Sequence, residues 1–425
     1  MTTAAAAPKE SFRLSMLIYD TRFRSLTIQV VVLILFLLGL AWLVDNTVTN
    51  LRNMGRTFDF GFLWQRAGYD INQRLIPYTN DSTHFQAAMV GLTNTLLVAF
   101  VGCILASIIG VVAGVLRLSN NWLLSRLMTV YVELFRNIPL LLWILVVFEI
   151  LADMMPEAKD FRLTPQMEAE GIQPAASMLF DGSVAITKGG AYIPAPLIER
   201  GLGSINLGLF SLNLTFVAIV AVLAASFFVD RSLRHRAQAV QEATGKRPKT
   251  WWKSILILFV PIFALLLALG LHWDFPEMGR FNFQGGIVLG HPFTALTLAL
   301  ALYTGSFIAE IVRSGIMAIS RGQSEAAFAL GLRPGRTTRL IILPQALRVI
   351  IPPLISQYLN LTKNTSLAIA VSYMDLRGTL GGITMNQTGK ELECMLLMMG
   401  LYLTISLIIS SVMNMFNRAV RLKER

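Results

Sequence analysis

Residues 324–344, SEAAFALGLRPGRTTRLIILP, form the stretch that decides the fold. Ser324 can cap a short helix, and Glu325 in its first turn would be stabilised by the positive end of the helix dipole. Gly331 can supply the left-handed conformation that commonly ends a helix. The first part of the stretch therefore predicts a short helix that begins after Ser324 and ends before Gly331.

The second part of the stretch predicts another helix after a break. Pro334 and Gly335 extend the break, and a helix is expected to run from there until Pro344. Apolar blocks at 294–312 and 350–372 flank the stretch. We therefore expect a helix–turn–helix at a membrane surface, with a small alanine face that can enter a groove on a partner protein.

The composition indicates a membrane protein. The chain of 425 residues is 54% hydrophobic and only 14% charged, whereas a soluble domain carries about 25% charged residues. A helix needs about 20 apolar residues to cross the hydrocarbon core of a bilayer. Blocks of about that size predict eight membrane helices, at 26–44, 90–116, 127–150, 207–229, 254–271, 294–312, 350–372 and 395–416. The predicted fold is an all-α polytopic membrane protein.

The net charge of +11 has a topological explanation that does not require nucleic acid. If the N-terminus is cytoplasmic and the eight helices alternate, the inside segments carry 22 Lys and Arg over 100 residues. The outside segments then carry 11 over 144 residues. Positive residues concentrate in cytoplasmic loops, so both termini are predicted to be cytoplasmic.

Residues with the chemistry of an enzyme are not grouped in this sequence. Cys103 and Cys394 suggest no disulfide framework, the four histidines have no metal-ligand spacing, and no nucleophile and base stand together. A phosphate-binding loop is also missing, because Val240 stands where Gly245-Lys246 would need a preceding glycine. We expect no catalytic residue, metal or cofactor on this chain, so any ATP hydrolysis must come from a separate subunit.

The loop between the sixth and seventh blocks resembles the EAA motif of ABC importer permeases. In that motif Glu-Ala-Ala is followed by three residues, Gly, nine residues and Ile-x-Leu-Pro, and every position is matched here by Glu325, Ala326, Ala327, Gly331, Ile341, Leu343 and Pro344. The resemblance implies a type I importer core whose loop inserts a coupling helix into a cleft of an ATP-binding subunit. Closure of the ATPase pair would then switch the membrane helices between two states.

Other stretches resemble permeases for polar amino acids such as His, Glu, Gln and Arg. They are Glu133–Leu141, Tyr303–Gly315 and Lys363–Leu367. Tyr19–Ser25, the segment through Tyr69–Ile71 and Asn386–Gly389 are similar to the Q-type permease of general L-amino-acid importers. Met374 departs from the pattern, since relatives commonly have proline there, and this weakens an exact transfer of substrate.

The resemblance also implies the partners and the arrangement of the chain. It implies two ATP-binding subunits that hold ATP and Mg, a second and different permease, a periplasmic amino-acid-binding protein, and a bacterial inner membrane. The predicted divisions are 1–87 with the first helix, 88–150 as the first part of the core, 151–293 as an insertion with two extra helices, and 294–425 as the second part of the core.

Charged residues in or near the apolar blocks are candidates for the substrate path. Charges at membrane depth usually face a partner or a water-filled path, and an amino acid needs both a cation and an anion near its backbone groups. Glu310 with Arg313, and Glu133 with Arg136, are spaced to form simple structural pairs instead, and both interpretations stay open. The candidate pathway residues are Lys363, Asn364, Thr365, Ser366, Glu310 and Arg136.

Several alternatives to an amino-acid importer remain. The chain would be the permease for another small polar solute such as an opine, half of an ABC exporter, an ion-coupled secondary transporter, a membrane scaffold or sensor, or a membrane enzyme. Exporters of the common type carry the ATPase in the same chain. A secondary transporter would need no ATPase and often shows inverted repeats, which this sequence does not display. The requirement for ATP during uptake distinguishes these classes.

Overall fold

The computed structural model describes residues 18, 20–55, 58–163, 167, 170, 173–206, 211–246 and 248–420. The predicted polar tail up to residue 17, Tyr19 and the C-terminal residues 421–425 lie outside this set. Within the described residues, seven helices are long and apolar enough to span a membrane, or eight if one bent pair forms a single span. The predicted polytopic helical fold is thereby confirmed.

Most of the membrane helices are continuous. The bounds of these helices are α1 Thr21–Asn53, α2 His84–Leu116, α5 Leu214–Thr244, α6 Trp251–Ala268, α7 His291–Met317 and α13 Glu391–Val420. The start of α2 is fixed by a capping box, in which Thr83 and Gln86 each accept a backbone N–H of the other. The start of α5 at Leu214 is later than the predicted 207, and residues 207–210 are not described.

The third apolar block is two helices rather than the predicted one. α3 spans Trp122–Asn137 and α4 spans Leu140–Met154, and their axes differ by 112°. Pro139 forces Ile138 into an extended conformation (φ −105°, ψ 137°), which ends α3. The expectation of one membrane helix over 127–150 was therefore wrong, because the count of apolar residues in the block does not register the proline break.

Short antiparallel strands lie within residues 151–293, in the parts of the chain between α4 and α7. They are β1 Ala185–Thr187, β2 Gly190–Ile193, β3 Ala195–Ile198, β4 Ser204–Asn206, β5 Ser211–Asn213, β6 Leu271–Asp274, β7 Glu277–Met278, β8 Phe283–Gln284 and β9 Ile287–Gly290. Nothing in the pattern of apolar blocks predicted these strands.

Pairing of the strands ties the two ends of the insertion together. β1, β2 and β9 form one antiparallel sheet, in which Gly190 is opposite Gly290 and Ile193 is opposite Ile287. β3 pairs with β6, with Ala195 opposite Asp274, while β4–β5 and β7–β8 are local hairpins. Strands that precede α5 therefore pair with strands that follow α6. This pairing holds the chain before α5 next to the chain after α6.

The core of the bundle is the contact between α2 and α7. The small residues Ala106, Gly110 and Gly114 of α2 are buried against α7. A Cβ on Gly110 would lie 2.5 Å from Ile308 Cβ, and one on Gly114 would lie 2.6 Å from the Ala309 carbonyl oxygen. The two backbones therefore approach as closely as glycine permits, as helices in membranes often do.

Further helical segments follow α7. They are α8 Arg321–Ala329, α9 Pro334–Thr337, a π turn at Thr338–Ile342, α10 Leu343–Asn364, a 3₁₀ segment at Thr365–Val371, α11 Leu376–Gly378, a π turn at Thr379–Thr384 and α12 Met385–Thr388. Another 3₁₀ segment, Gly61–Trp64, precedes α2 and a last one spans Ala158–Phe161. These segments supply the functional residues described below.

Replacing Gly110 by alanine should destabilise the bundle. The added methyl group overlaps Ile308 and Gly305, and overpacking of this kind costs about 1–3 kcal/mol. The midpoint of thermal unfolding of the purified protein in detergent should fall. Gly400→Ala on α13 is the matched control, because nothing lies within 4 Å of its added Cβ, and an equal fall in both variants would contradict the close contact.

Candidate functional site

The first helix of the candidate coupling loop begins earlier than predicted. α8 starts at Arg321, and its N-cap residue is Ser320 in an extended conformation (φ −61°, ψ 141°). Ser324 therefore lies inside the helix and Glu325 in its second turn, so the predicted cap at Ser324 was wrong. Ser320 stands at the N-cap position, although its side chain makes no capping hydrogen bond, and residue type alone does not choose between two serines four positions apart.

The end of α8 agrees with the prediction. Gly331 has φ +73°, the left-handed conformation. Its N–H donates to the Phe328 carbonyl at 2.9 Å, and the Leu332 N–H donates to the Ala327 carbonyl at 3.1 Å. These two bonds form a Schellman motif, which satisfies carbonyl groups at the end of the helix and reverses the chain.

The second helix of the loop does not end at Pro344 as predicted. α9 begins at Pro334, and the chain continues through the π turn Thr338–Ile342 directly into α10. Proline lacks an N–H, and its ring meets the carbonyl of the preceding turn. The wider π turn immediately before Pro344 makes room for this ring. The helical backbone therefore continues from the loop into a membrane-spanning helix without a break.

The coupling loop, residues 321–342, presents apolar side chains on its outer side. Leu330 is 81% exposed, Leu340 62% and Phe328 50%, whereas Ala327 is 1% exposed and packs within the chain. Ala326 and Glu325 are exposed. Large exposed apolar side chains grouped at the end of a bundle are typical of a protein–protein contact.

Arginines surround the exposed apolar residues of the loop. They are Arg321, Arg333, Arg336 and Arg339, and in the described part of the chain no ion pair ties any of them to a carboxylate. A partner surface with an apolar cleft and an acidic rim would complement this arrangement.

The charged residues near the loop form one network around Glu310. Arg117 Nη1 donates to Glu310 Oε2 at 2.5 Å, and Arg313 Nη2 donates to Oε1 at 2.5 Å. Arg136 Nη1 lies 4.0 Å from Glu310 Oε2, and its guanidinium stacks 5.4 Å from the centre of the Phe307 ring. Arg117, 193 residues away in the chain, is a partner that sequence reasoning missed.

One of the two predicted structural pairs is present. Glu310 pairs with Arg313, while Arg136 faces Glu310 rather than Glu133. The Glu133 carboxylate accepts a hydrogen bond from Asn137 Nδ2 at 3.3 Å instead. Glu310 is thus held by three arginines at the end of α7 nearest the coupling loop, and it joins α2, α3 and α7 there.

The Lys363–Ser366 stretch changes helix type without opening into an extended chain. α10 ends at Asn364, and Thr365–Val371 continues as a 3₁₀ helix up to Ser372, which has φ +57°. Thr365 is fully buried and donates to the Thr362 carbonyl at 2.8 Å. Lys363 is exposed, and Asn364 and Ser366 are half-buried. The predicted pathway residues therefore fall into two places, one around Glu310 and one around Lys363.

The segment after Ser372 turns back into the bundle. Asn94 Nδ2 donates to the Met374 carbonyl at 2.8 Å, and the Leu376 N–H donates to Thr95 Oγ1 at 3.0 Å. Asp375 is fully buried and accepts a hydrogen bond from Tyr402 Oη at 3.1 Å. Residues 373–384 are thus a re-entrant segment packed between α2 and α13.

Lys363 and Ser366 line a cavity of about 360 Å³ with Arg377, Met398 and Tyr402. Arg377 and Tyr402 are not among the pathway residues predicted from the sequence. Tyr402 carried a usable signal, since a tyrosine hydroxyl inside an apolar block needs a buried partner.

A multi-pass helical bundle that exposes a helix–turn–helix with the EAA motif is typical of a permease subunit of an ATP-driven importer. Residues 243–422 match the family described as binding-protein-dependent transport system inner membrane component. The chain is 65% identical, over 100% of both chains, to the glutamate/glutamine/aspartate/asparagine transport system permease protein BztB of Rhodobacter capsulatus. It is 42% identical, over 98% of this chain and 96% of the relative, to the general L-amino acid transport system permease protein AapQ of Rhizobium johnstonii.

The chain belongs to the family of amino-acid ABC transporter permeases and is a multi-pass inner membrane protein. The family predicted from the motif at 325–344 is confirmed. Among solved structures, the crystal structure of an amino acid ABC transporter with histidines covers 79% of this chain and 95% of that chain, at 16% identity and a TM-score of 0.43.

Replacing Glu310 by glutamine should destabilise the junction of α2, α3 and α7. The change removes the charge that neutralises Arg117 and Arg313, at a side chain that is 23% exposed, and should cost about 1–3 kcal/mol. The midpoint of thermal unfolding in detergent measures the loss. Glu149→Gln on α4 is the matched control because Glu149 is exposed, and an unchanged midpoint in Glu310→Gln would argue against the network.

Proposed function

We propose that this chain forms half of a path for L-amino acids and couples it to a separate ATP-binding subunit through residues 321–342. The observation that carries this proposal is the exposed helix–turn–helix, with Leu330 81% exposed beside the Schellman turn. Glu325, Ala326 and Gly331 lie on its first helix and turn, while Ile341, Leu343 and Pro344 lie where it joins α10.

The geometry supports a mechanical role for the loop. α8 is nine residues long and ends in the reversal at Gly331, and the returning chain runs without a gap into α10. A displacement of α8 by a partner is therefore transmitted to α10 and to α7, which flank the loop. The network around Glu310 ties the same end of α7 to α2 and α3, so these helices move as one body.

The proposed assembly follows from the family and from what this chain lacks. It contains two ATP-binding subunits that hold ATP and Mg, a second related permease, and a binding protein that delivers the substrate on the periplasmic side. The coupling loop and both termini face the cytoplasm, in agreement with the excess of Lys and Arg in the segments on that side. The cargo is L-amino acids, as the names of the two relatives state for those proteins.

Uptake of radiolabelled L-glutamate and L-glutamine into vesicles tests the proposal. Vesicles that contain this chain, its partner permease and the ATP-binding subunit should take up amino acid only with ATP inside and binding protein outside. This chain purified alone should hydrolyse no ATP. Uptake driven by an ion gradient without ATP would instead identify a secondary transporter.

Replacing Gly331 by alanine should weaken coupling between ATP hydrolysis and uptake. A Cβ at φ +73° costs about 1–2 kcal/mol, and nothing lies within 4 Å of it, so the effect comes from the backbone alone. The amount of amino acid transported per ATP hydrolysed should fall. Gly335→Ala is the matched control, since its Cβ also meets nothing within 4 Å and its φ is ordinary, and equal ratios in the two variants would argue against a role for the turn.

A further inference from the structure

The cavity of about 360 Å³ beside Lys363 is formed by three separate parts of the chain. Lys363 and Ser366 come from the end of α10 and the 3₁₀ segment, Arg377 from α11, and Met398 and Tyr402 from α13. Its size is within the range of about 300–1,000 Å³ found for small-molecule sites. Two basic side chains line it, and none of the described residues that line it is acidic. The Ser366 hydroxyl donates to the Lys363 carbonyl and the Tyr402 hydroxyl donates to Asp375 Oδ2.

The cavity lies at the depth of the hydrocarbon core. α2 has 33 residues and is about 50 Å long at 1.5 Å per residue, so its midpoint is near residue 100. Leu361 packs against Gly102, and the N–H of Leu376 bonds to Thr95. Lys363 and Arg377 follow these contacts by one or two residues, and both therefore lie within about 15 Å of the membrane centre.

The two cations of this cavity are not held in a salt bridge in the part of the chain that is described. Neither Lys363 nor Arg377 forms an ion pair there. Asp375 is close in sequence, and its carboxylate is fully buried and interacts electrostatically with Arg377. It already accepts hydrogen bonds from the Gly378 N–H at 2.8 Å and from Tyr402 Oη, and it forms no salt bridge with the Arg377 guanidinium. Arg377 Nη1 donates to the sulfur of Met395 at 3.9 Å.

Such an arrangement is costly unless an anion shares the space. A charge at membrane depth must face water, a partner or a ligand rather than lipid. A guanidinium binds a carboxylate through two parallel hydrogen bonds. A carboxylate also gains the attraction between opposite charges, which a neutral amide does not. Two cations that face one small cavity match a molecule with two carboxylates better than a molecule with one.

We propose that Lys363 and Arg377 form a carboxylate-binding subsite that favours amino acids with acidic side chains over their neutral amide counterparts. This inference rests on the proposed function, in which amino acids pass through this chain. One cation binds the α-carboxylate and the other binds the side-chain carboxylate. Glutamine and asparagine offer the second cation only a neutral amide oxygen, so they bind less tightly to the subsite.

The ratio of maximal uptake rates for L-glutamate and L-glutamine tests the subsite in the assembled transporter. The same saturating binding protein is used throughout, so its own preference cancels between wild type and variants. Lys363→Met should lower the glutamate-to-glutamine ratio by about tenfold, and Arg377→Gln should also lower it. Lys363→Arg keeps the charge and should retain most of the ratio.

Lys253→Met is the control for loss of one positive charge from a membrane helix. Lys253 lies in the first turn of α6, and its ammonium group is 5.3 Å from the centre of the Trp252 ring. The Lys253→Met substitution should leave the glutamate-to-glutamine ratio unchanged. An equal fall in both rates for Lys363→Met, or no fall, would overturn the subsite alone. Loss of the assembled complex on size-exclusion chromatography would assign Lys363 to contact with the second permease and would also overturn it. Absence of ATP-dependent uptake in the wild type would overturn the proposed function, and the subsite with it.

Discussion

The close approach of α2 and α7 is the contact on which the rest of this structure depends. Helices in a bilayer gain little from leaving lipid, so their association relies on tight packing of small residues. Gly110 and Gly114 bring the backbone of α2 against Gly305 and Ala309. This contact sets the relative height of the two helices, so Arg117 at the end of α2 reaches Glu310 on α7. The coupling loop then projects from that same end.

Prolines in this chain have three different structural effects. Pro139 ends a helix and produces the 112° bend between α3 and α4. Pro334 begins α9, where its missing N–H costs nothing. Pro344 lies inside a continuous helix because the π turn before it makes room. The missing N–H and the ring of proline therefore end a helix, begin one or are accommodated inside one. The outcome depends on how the neighbouring carbonyl groups are arranged.

Charges inside apolar blocks likewise end in different environments. Glu310 is surrounded by arginines from two other helices, and Asp375 is buried under Tyr402. Lys363 faces an open cavity. From the sequence, each is only a charged residue in or beside an apolar block, and only the packing shows which of them is paired.

The sequence by itself determined the membrane class, the helical bundle, the family motif and the turn at Gly331. These features depend on local quantities, namely the length of an apolar block, residue spacing and the freedom of glycine at positive φ. Only the tertiary structure decided that α8 begins directly after Ser320, that Arg117 pairs with Glu310, and that strands pair within residues 151–293. Each of these depends on groups brought together from distant parts of the chain, or on a choice between chemically equivalent residues. The cavity at Lys363 is of the same kind, because its wall comes from α10, α11 and α13 together.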